Sequence, residues 1–123
     1  MEKLSPQMRH QLAQFQQAQQ QAQVLLSQRQ QLELLLRETE RALEELGKLP
    51  EDAVVYKSVG TILVKSEKAV LQKDLAEQKE TLDLRIKTLE RQGERAVQRL
   101  REMRDKIDEA LKGKPSEKAV TSG

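Results

Sequence analysis

The stretch VVYKSVGTILVK, residues 54–65, is a run of β-branched residues interrupted by one glycine. Valine, isoleucine, threonine and tyrosine favour extended strands, and Gly60 tolerates the positive φ angle that a tight reversal requires. The run therefore predicts a β-hairpin over residues 53–65, with its turn near Val59 and Gly60. Long segments with a helical pattern flank it on both sides, so the hairpin is expected at the bend between two helices.

The segment before the hairpin predicts one long helix over residues 5–46. Ser5 followed by Pro6 is typical of a helix start, because serine caps the first turn and proline loses no hydrogen bond there. Gly47 and Pro50 form a stop signal at the other end. Apolar residues recur at two positions of a seven-residue repeat, which predicts a coiled-coil seam. The seam positions are Met8, Phe15, Ala22, Arg29, Leu36 and Leu43, together with Gln11, Ala18, Leu25, Leu32, Thr39 and Leu46.

Glutamine makes up about half of residues 7–31. Such a composition also occurs in disordered, low-complexity sequence. Glutamine has a good helix propensity, however, and the seven-residue pattern continues through the tract. We therefore interpret the tract as part of the first helix, with disorder as the alternative.

The segment after the hairpin predicts a second long helix over residues 67–111, with Ser66 as its cap. Gly93 is its weak point, since glycine costs about 1 kcal/mol relative to alanine inside a helix. Gly113 and Pro115 end the helix, and residues 113–123 are expected to be disordered. The seam positions are Gln72, Lys79, Ile86, Gly93, Leu100 and Ile107, together with Leu75, Leu82, Leu89, Ala96, Met103 and Ala110.

These elements predict a mainly α fold, a long antiparallel two-helix coiled coil with one β-hairpin inserted at the bend. We expect residues 1–123 to form a single domain. Each helix would measure about 60–70 Å at about 1.5 Å per residue. The composition agrees, because charged residues make up 34% of the chain and aromatic residues only 2%, which leaves little material for a large core.

Charge and cysteine content bear on partners and location. The 22 basic and 20 acidic residues are interleaved and leave a net charge of +2. A nucleic-acid surface is usually more one-sided and brings aromatic residues for stacking, so no nucleic-acid partner is expected. The chain has no cysteine and no signal-peptide pattern, and its apolar clusters are far shorter than the ~20 residues that span a bilayer. These features predict a soluble, cytoplasmic protein with no membrane partner.

Catalytic and cofactor sites are not expected. His10 is the only histidine, and it lies in the glutamine-rich helix, where we interpret it as a surface residue. The acidic residues fall at outward positions of the seven-residue repeat, with no pocket around them. A phosphate-binding GxxxxGK[ST] loop is absent from the sequence. The pattern predicts a protein that is not an enzyme and that holds no cofactor or metal.

The predicted hairpin is apolar on both faces, which one helical pair cannot cover. An isolated two-stranded hairpin is only marginally stable, and its unpaired edges invite another chain. We therefore expect several hairpins to join into a barrel, with a turn that simply packs on its own helices as the alternative. The expected assembly residues are Val54, Tyr56, Ile62 and Val64 on one face, Val55, Val59 and Leu63 on the other, and Gly60 at the turn.

The free ends of the two helices are a second candidate surface. Helix ends fray, and a two-helix seam does not fully bury its residues at an open end. Methionine there suits adaptable contacts with varied partners. The alternative is that these side chains simply complete the seam. The candidate residues, called the tip residues below, are Leu4, Met8, Leu12, Met103, Ile107 and Leu111.

Three stretches together resemble the β subunits of archaeal prefoldin. They are LGKLPEDAVVYKSVGTILVKSEKAV at residues 46–70, HQLAQFQQAQQQAQ at residues 10–23 and LDLRIKTLERQ at residues 82–92. The resemblance covers residues 7–111, and the single hairpin favours the β type, since α-type subunits have two hairpins. Gly93 departs from the pattern, because a better helix former is expected there.

The resemblance implies an assembly and a function. Two α and four β subunits would form a hexamer whose hairpins build a double β-barrel platform, with the coiled coils projecting from it. The hexamer would hold unfolded or nascent proteins between its tips without ATP and pass them to a group II chaperonin. The tip segments of the family correspond to the tip residues named above, and the hairpin contacts fall on residues 54–64.

A passive scaffold is the rival function. Such a protein would be a dimerising coiled coil or adaptor that positions other proteins and never touches unfolded ones. The two functions differ in assembly, because the chaperone requires a complex with more than two coiled-coil arms.

Overall fold

The structure, a computed structural model, describes residues 4–113. Helix α1 (Pro6–Gly47) leads into strands β1 (Val54–Val59) and β2 (Ile62–Glu67), and helix α2 (Lys68–Leu111) follows without a linker. The predicted fold class is confirmed in its elements, since two long helices flank one antiparallel two-stranded hairpin. Helix α1 continues through the glutamine-rich tract, so disorder there was the wrong alternative.

The start of α1 follows the expected chemistry. The backbone N–H of Met8 donates to the Ser5 hydroxyl at 3.0 Å, and the N–H of Arg9 donates to the Ser5 carbonyl at 2.9 Å. Ser5 is therefore the cap, and Pro6 opens the helix where its missing N–H costs nothing.

The end of α1 differs from the expected glycine stop. Gly47 is the last helical residue and has no positive φ angle. The chain tightens instead, because the N–H groups of Lys48 and Leu49 donate to carbonyls three residues earlier, at 3.2 and 3.1 Å. Pro50, which cannot continue the helix, then completes the termination. Of the two residues in the predicted stop signal, Gly47 therefore does not end the helix in the expected left-handed conformation, whereas Pro50 has the expected role.

The end of α2 does use a left-handed glycine. Gly113 has φ +71°, and its N–H donates to the Ala110 carbonyl at 3.1 Å. This is the conformation in which glycine ends helices without a steric penalty. The rest of the predicted tail, residues 114–123, lies outside the described residues.

The chain divides into two compact units. The described part of the first contains residues 4–27 and 89–113. Its buried apolar residues are Met8, Ala18 and Ile107. Side chains from the start of α1 and the end of α2 line one groove there, so the two helices pair in antiparallel directions within this unit.

The second unit contains residues 28–88, including the hairpin. Leu46, Val55, Leu82 and Ile86 form its buried apolar core. An ion pair of 3.6 Å between a Glu40 carboxylate oxygen and Lys79 Nζ connects α1 to α2. Among the described residues no large side chain is fully buried, which agrees with a thin seam rather than a globular core.

Burial follows the predicted seam. Every seam position predicted for α1 is buried or half-buried, and so is every one predicted for α2 except Ala110, which is exposed. Two polar seam residues have polar partners. The Thr39 hydroxyl donates to the Leu35 carbonyl at 2.9 Å, and Lys79 reaches Glu40. Within residues 4–113, neither helix offers a stretch long and apolar enough to cross a bilayer.

The hairpin turn lies one residue later than expected. Val59 pairs with Ile62, so Gly60 and Thr61 form a two-residue loop. Gly60 has φ +61°, whereas no non-glycine residue among those described has a positive φ. A positive φ at the first loop position alone is the pattern of a type II′ turn, which matches the twist of the paired strands.

This register corrects the expected face assignment and the start of α2. Paired residues share a face, so Ile62 and Val64 lie with Val59 and Val55, and Leu63 lies with Val54 and Tyr56. The prediction had therefore placed the residues of the second strand on the wrong faces. Ser66 is not a helix cap either, because it pairs with Val55 and Glu67 pairs with Val54, which keeps the backbone extended to Glu67.

Candidate functional site

The hairpin presents two faces with different surroundings. We call the face of Val55, Lys57, Val59, Ile62, Val64 and Ser66 the helix-side face. Val55 is only 8% exposed, and Lys57 Nζ lies 3.9 Å from an Asp74 carboxylate oxygen of α2. The helices do not cover the part of this face near the turn, where Val59, Ile62 and Val64 remain exposed.

The opposite face, called the open face, is an exposed apolar surface of the second unit. It carries Val54, Tyr56 and Leu63 together with Ser58, Lys65 and Glu67. Leu63 is 71% exposed, and both Val54 and Tyr56 are more than half exposed. Exposed apolar area of this kind marks an interaction surface in a soluble protein.

The strand edges add main-chain hydrogen-bonding capacity. β1 and β2 pair only with each other in the described structure, so each has one outer edge without a strand partner. Such edges are templates for pairing with another strand. The predicted assembly residues thus lie together on one small sheet with two apolar areas and two free edges.

The predicted tip residues divide by burial. Met8 and Ile107 are buried in the seam of the first unit, and Leu12 and Met103 are half-buried. Leu4 is 40% exposed and Leu111 is 59% exposed. The helical pair therefore leaves Leu4 and Leu111 on its surface, whereas Met8 and Ile107 would become available only if the helix ends opened.

Polar groups surround this end of the helical pair. Ser5, Gln11, Lys106 and Glu109 line a groove to which Met8 also contributes. The Arg9 guanidinium donates to the Leu4 carbonyl at 2.9 Å, which holds Leu4 against the first turn of α1. Leu4 is thus an exposed apolar side chain next to polar groups.

His10 is exposed on α1. Within residues 4–113, no group of histidine, aspartate and glutamate side chains is placed to hold a metal ion.

Comparison with known proteins decides the family. A family model described as "Prefoldin subunit" matches residues 9–114 of the chain. The chain belongs to the prefoldin family. Prefoldins are chaperones, and the relatives described next confirm the resemblance to the archaeal β type that was seen in the sequence.

The most similar relatives include several archaeal prefoldin β subunits. The subunit from Archaeoglobus fulgidus is 50% identical over 111 residues, covering 90% of this chain and 96% of the relative. The subunit from Methanothrix thermoacetophila is 48% identical over 108 residues, covering 88% and 90%. A crystal structure of the prefoldin beta subunit from Thermococcus strain KS-1 has a TM-score of 0.80 and 41% identity, covering 90% of this chain and 97% of that one.

One buried residue at the root of this prefoldin hairpin was not predicted from the sequence. Lys68, the first residue of α2, is only 5% exposed and contacts the loop after α1. A cation at a helix N-terminus is electrostatically unfavourable for that helix, since the first turn normally attracts acidic residues. A lysine at the first position of a helix was therefore the signal that the sequence offered, although it does not show which groups the side chain contacts.

Proposed function

We propose that this prefoldin-family chain is an ATP-independent chaperone subunit, with residues 1–123 acting as a single prefoldin-like domain. In this proposal the tips capture unfolded or nascent proteins and pass them to a group II chaperonin in the cytoplasm. The observation that carries the capture step is the exposure of Leu4, just before α1, at 40% and of Leu111, at the end of α2, at 59%.

Assembly is the second part of the proposal. Hairpins from four β-type and two α-type subunits would join into a double β-barrel platform. The open face supports this part, because Val54, Tyr56 and Leu63 have no cover within the described chain. The free outer edges of β1 and β2 would supply the main-chain hydrogen bonds between subunits.

Weak individual contacts are sufficient for this function. Apolar burial contributes roughly 25 cal/mol per Å², so ~200 Å² of tip surface gives at most ~5 kcal/mol before ordering costs. That corresponds to about millimolar affinity. Several arms acting on one unfolded chain raise the total affinity by about two to four orders of magnitude through effective concentration. Release follows as contacts are lost one at a time, without any nucleotide.

Replacing Leu4 and Leu111 with serine tests the capture step. We expect the double variant to lose most of its ability to suppress aggregation of an unfolding protein, measured by light scattering, while the mass of the complex stays unchanged. Leu84→Ser is the matched control, because Leu84 is 60% exposed on α2 and is not a tip residue. Full protection by the double variant would contradict the proposed capture surface.

The mass of the complex tests the assembly step. With an archaeal α-type subunit, we expect a hexamer by sedimentation or native mass spectrometry. A plain dimer that is unchanged by the α-type subunit would favour the passive scaffold instead. Transfer is tested separately, by adding a group II chaperonin to a captured client and measuring whether the refolded yield rises.

A further inference from the structure

Lys68 is a buried lysine that neither the seam nor the tips require. It is 5% exposed, whereas most lysines are on the surface unless they are paired. Its Nζ donates to the Leu49 carbonyl at 2.7 Å and lies 3.3 Å from a Glu51 carboxylate oxygen. Both partners lie in the loop that follows α1, far earlier in the chain.

The Leu49 contact is the stronger of the two. Glu51 is 86% exposed at its side chain, so solvent screens its attraction for Lys68. The bond to the Leu49 carbonyl is short and charge-assisted, and it is formed by a side chain shielded from water. Leu49 lies two residues after the end of α1, where the dipole of the helix favours a nearby cation.

The position of Lys68 gives this bond a mechanical consequence. β2 ends at Glu67 and α2 begins at Lys68, with no linker between them. Fixing Lys68 to Leu49 therefore fixes the end of β2 against the end of α1. Strand β1 is also held on its helix-side face, because Val55 is buried and Lys57 Nζ lies 3.9 Å from an Asp74 carboxylate oxygen.

We propose that Lys68 is a positioning residue for assembly. It holds the root of the hairpin at a set angle to the helices of the second unit, so the open face and the strand edges are presented in the geometry that joining requires. This inference rests on the proposed function in one respect, namely that hairpins join. A hairpin already held in its bound orientation loses less conformational entropy when it associates.

Lys68→Met tests the proposal, because methionine keeps an unbranched side chain only one atom shorter and removes the donor. The chain has no cysteine, so Thr61→Cys and Glu77→Cys allow spin labels on the hairpin turn and on α2. Both residues are exposed and belong to the second unit. We expect one narrow distance between the labels in the parent chain and a broadened distribution in Lys68→Met.

Assembly provides the second measurement. In the unlabelled chain, we expect Lys68→Met to raise the dissociation constant with an archaeal α-type subunit about tenfold, through the lost preorganisation. Lys73→Met is the matched control, since Lys73 is an exposed lysine near the start of α2 with no ion pair in the described structure. The control should change neither the distance distribution nor the dissociation constant.

The outcomes separate this inference from the proposed function. An unchanged distance distribution in Lys68→Met would overturn the positioning role. Loss of the helical circular dichroism signal in that variant would also overturn it, because Lys68 would then hold the helical pair rather than the hairpin. If the parent chain fails to assemble, the proposed function fails, and the label distances still decide the role of Lys68.

Discussion

Gly93 and Gly60 are glycines with opposite structural roles. Gly93 lies in the interior of α2, which continues through it as a helix, and an added Cβ would meet no atom within 4 Å. Gly60 also has space around it, but its φ of +61° belongs to the left-handed region. Space alone therefore does not decide what a side chain would do at either position.

Gly93→Ala is expected to raise the free energy of unfolding by about 1 kcal/mol, because alanine restricts the unfolded chain and has the better helix propensity. Gly60→Ala is the control with the opposite sign, and we expect it to lower stability by about 1 kcal/mol or more, since the turn forces a left-handed conformation. Urea unfolding followed by circular dichroism at a fixed protein concentration measures both. Destabilisation by Gly93→Ala would mean that the helix needs a glycine there.

Residue-scale features were predictable when their cause is local. The Ser5 cap depends on groups a few residues apart, and the sequence contains all of them. Lys68 was not predictable, because its burial depends on a carbonyl 19 residues earlier in the chain. The role of Ser66 was misassigned for a similar reason, since its pairing with Val55 outweighs its preference for helix caps.

At the scale of elements, the seven-residue repeat largely predicts which side chains of the two helices are buried. Leu82, Ile86 and Ile107 are buried where the repeat places them. The hairpin faces were harder to predict, because a shift of one residue in the turn moves the whole second strand to the other face. The actual loop of Gly60 and Thr61 places Leu63 on the open face, which the sequence pattern alone did not determine.

Lys79 is a polar residue within the seam and offers a test of that element. Its ion pair with Glu40 is partly exposed, at 41% and 46% of the side chains, so the pair contributes little to stability. We expect Lys79→Leu to raise the free energy of unfolding by about 1 kcal/mol through added apolar burial. Lys73→Leu, at an exposed position, should have no such effect.

Thermal unfolding of the two variants provides the comparison. A fall in the midpoint for Lys79→Leu would indicate that the pair with Glu40 contributes more than the apolar burial that replaces it. Polar seam residues usually lower stability and fix the alignment of the helices, so the gain in stability is expected to come with a less strictly defined helical register.

The open face offers a test of the hairpin. Tyr56→Ser combined with Leu63→Ser removes the two largest exposed apolar side chains of that face. Each is worth roughly 1.5–3 kcal/mol when buried against a partner, so we expect the dissociation constant for assembly to rise at least about 100-fold. Sedimentation measures this, and the helical circular dichroism signal should stay unchanged.

Leu34→Ser combined with Leu84→Ser is the control for the hairpin variant, because both residues are apolar and at least half exposed on the helices. These changes should leave the dissociation constant as it is. If the hairpin variant assembles with the same dissociation constant as the parent chain, the open face is not part of the proposed platform.

At the scale of the whole molecule, the proposed function depends on the number of arms. One tip binds weakly, and several tips on one client bind through effective concentration. Affinity therefore falls by a large factor for each arm that is removed, rather than in proportion to the number of arms. This behaviour distinguishes shared capture from a set of independent sites.

Mixed complexes test this dependence. Hexamers assembled from the parent chain and the variant with Leu4→Ser and Leu111→Ser, at several ratios, should lose protection more steeply than the fraction of variant increases. Light scattering of an unfolding client, read against the composition of each complex by native mass spectrometry, gives the curve. A straight-line loss of protection would indicate that each arm acts alone.

The direct junction between Glu67 and Lys68 limits how such a chain can change in length. One residue added at the start of α2 would turn the strand by about 100° around the helix axis, since a helix has about 3.6 residues per turn. An insertion at this junction would point the hairpin in a new direction, whereas an insertion in the part of the loop after Leu49, residues 50–53, would leave both the junction and the carbonyl that Lys68 binds in place. Insertions and deletions among related chains are thus expected in that part of the loop and not at the junction.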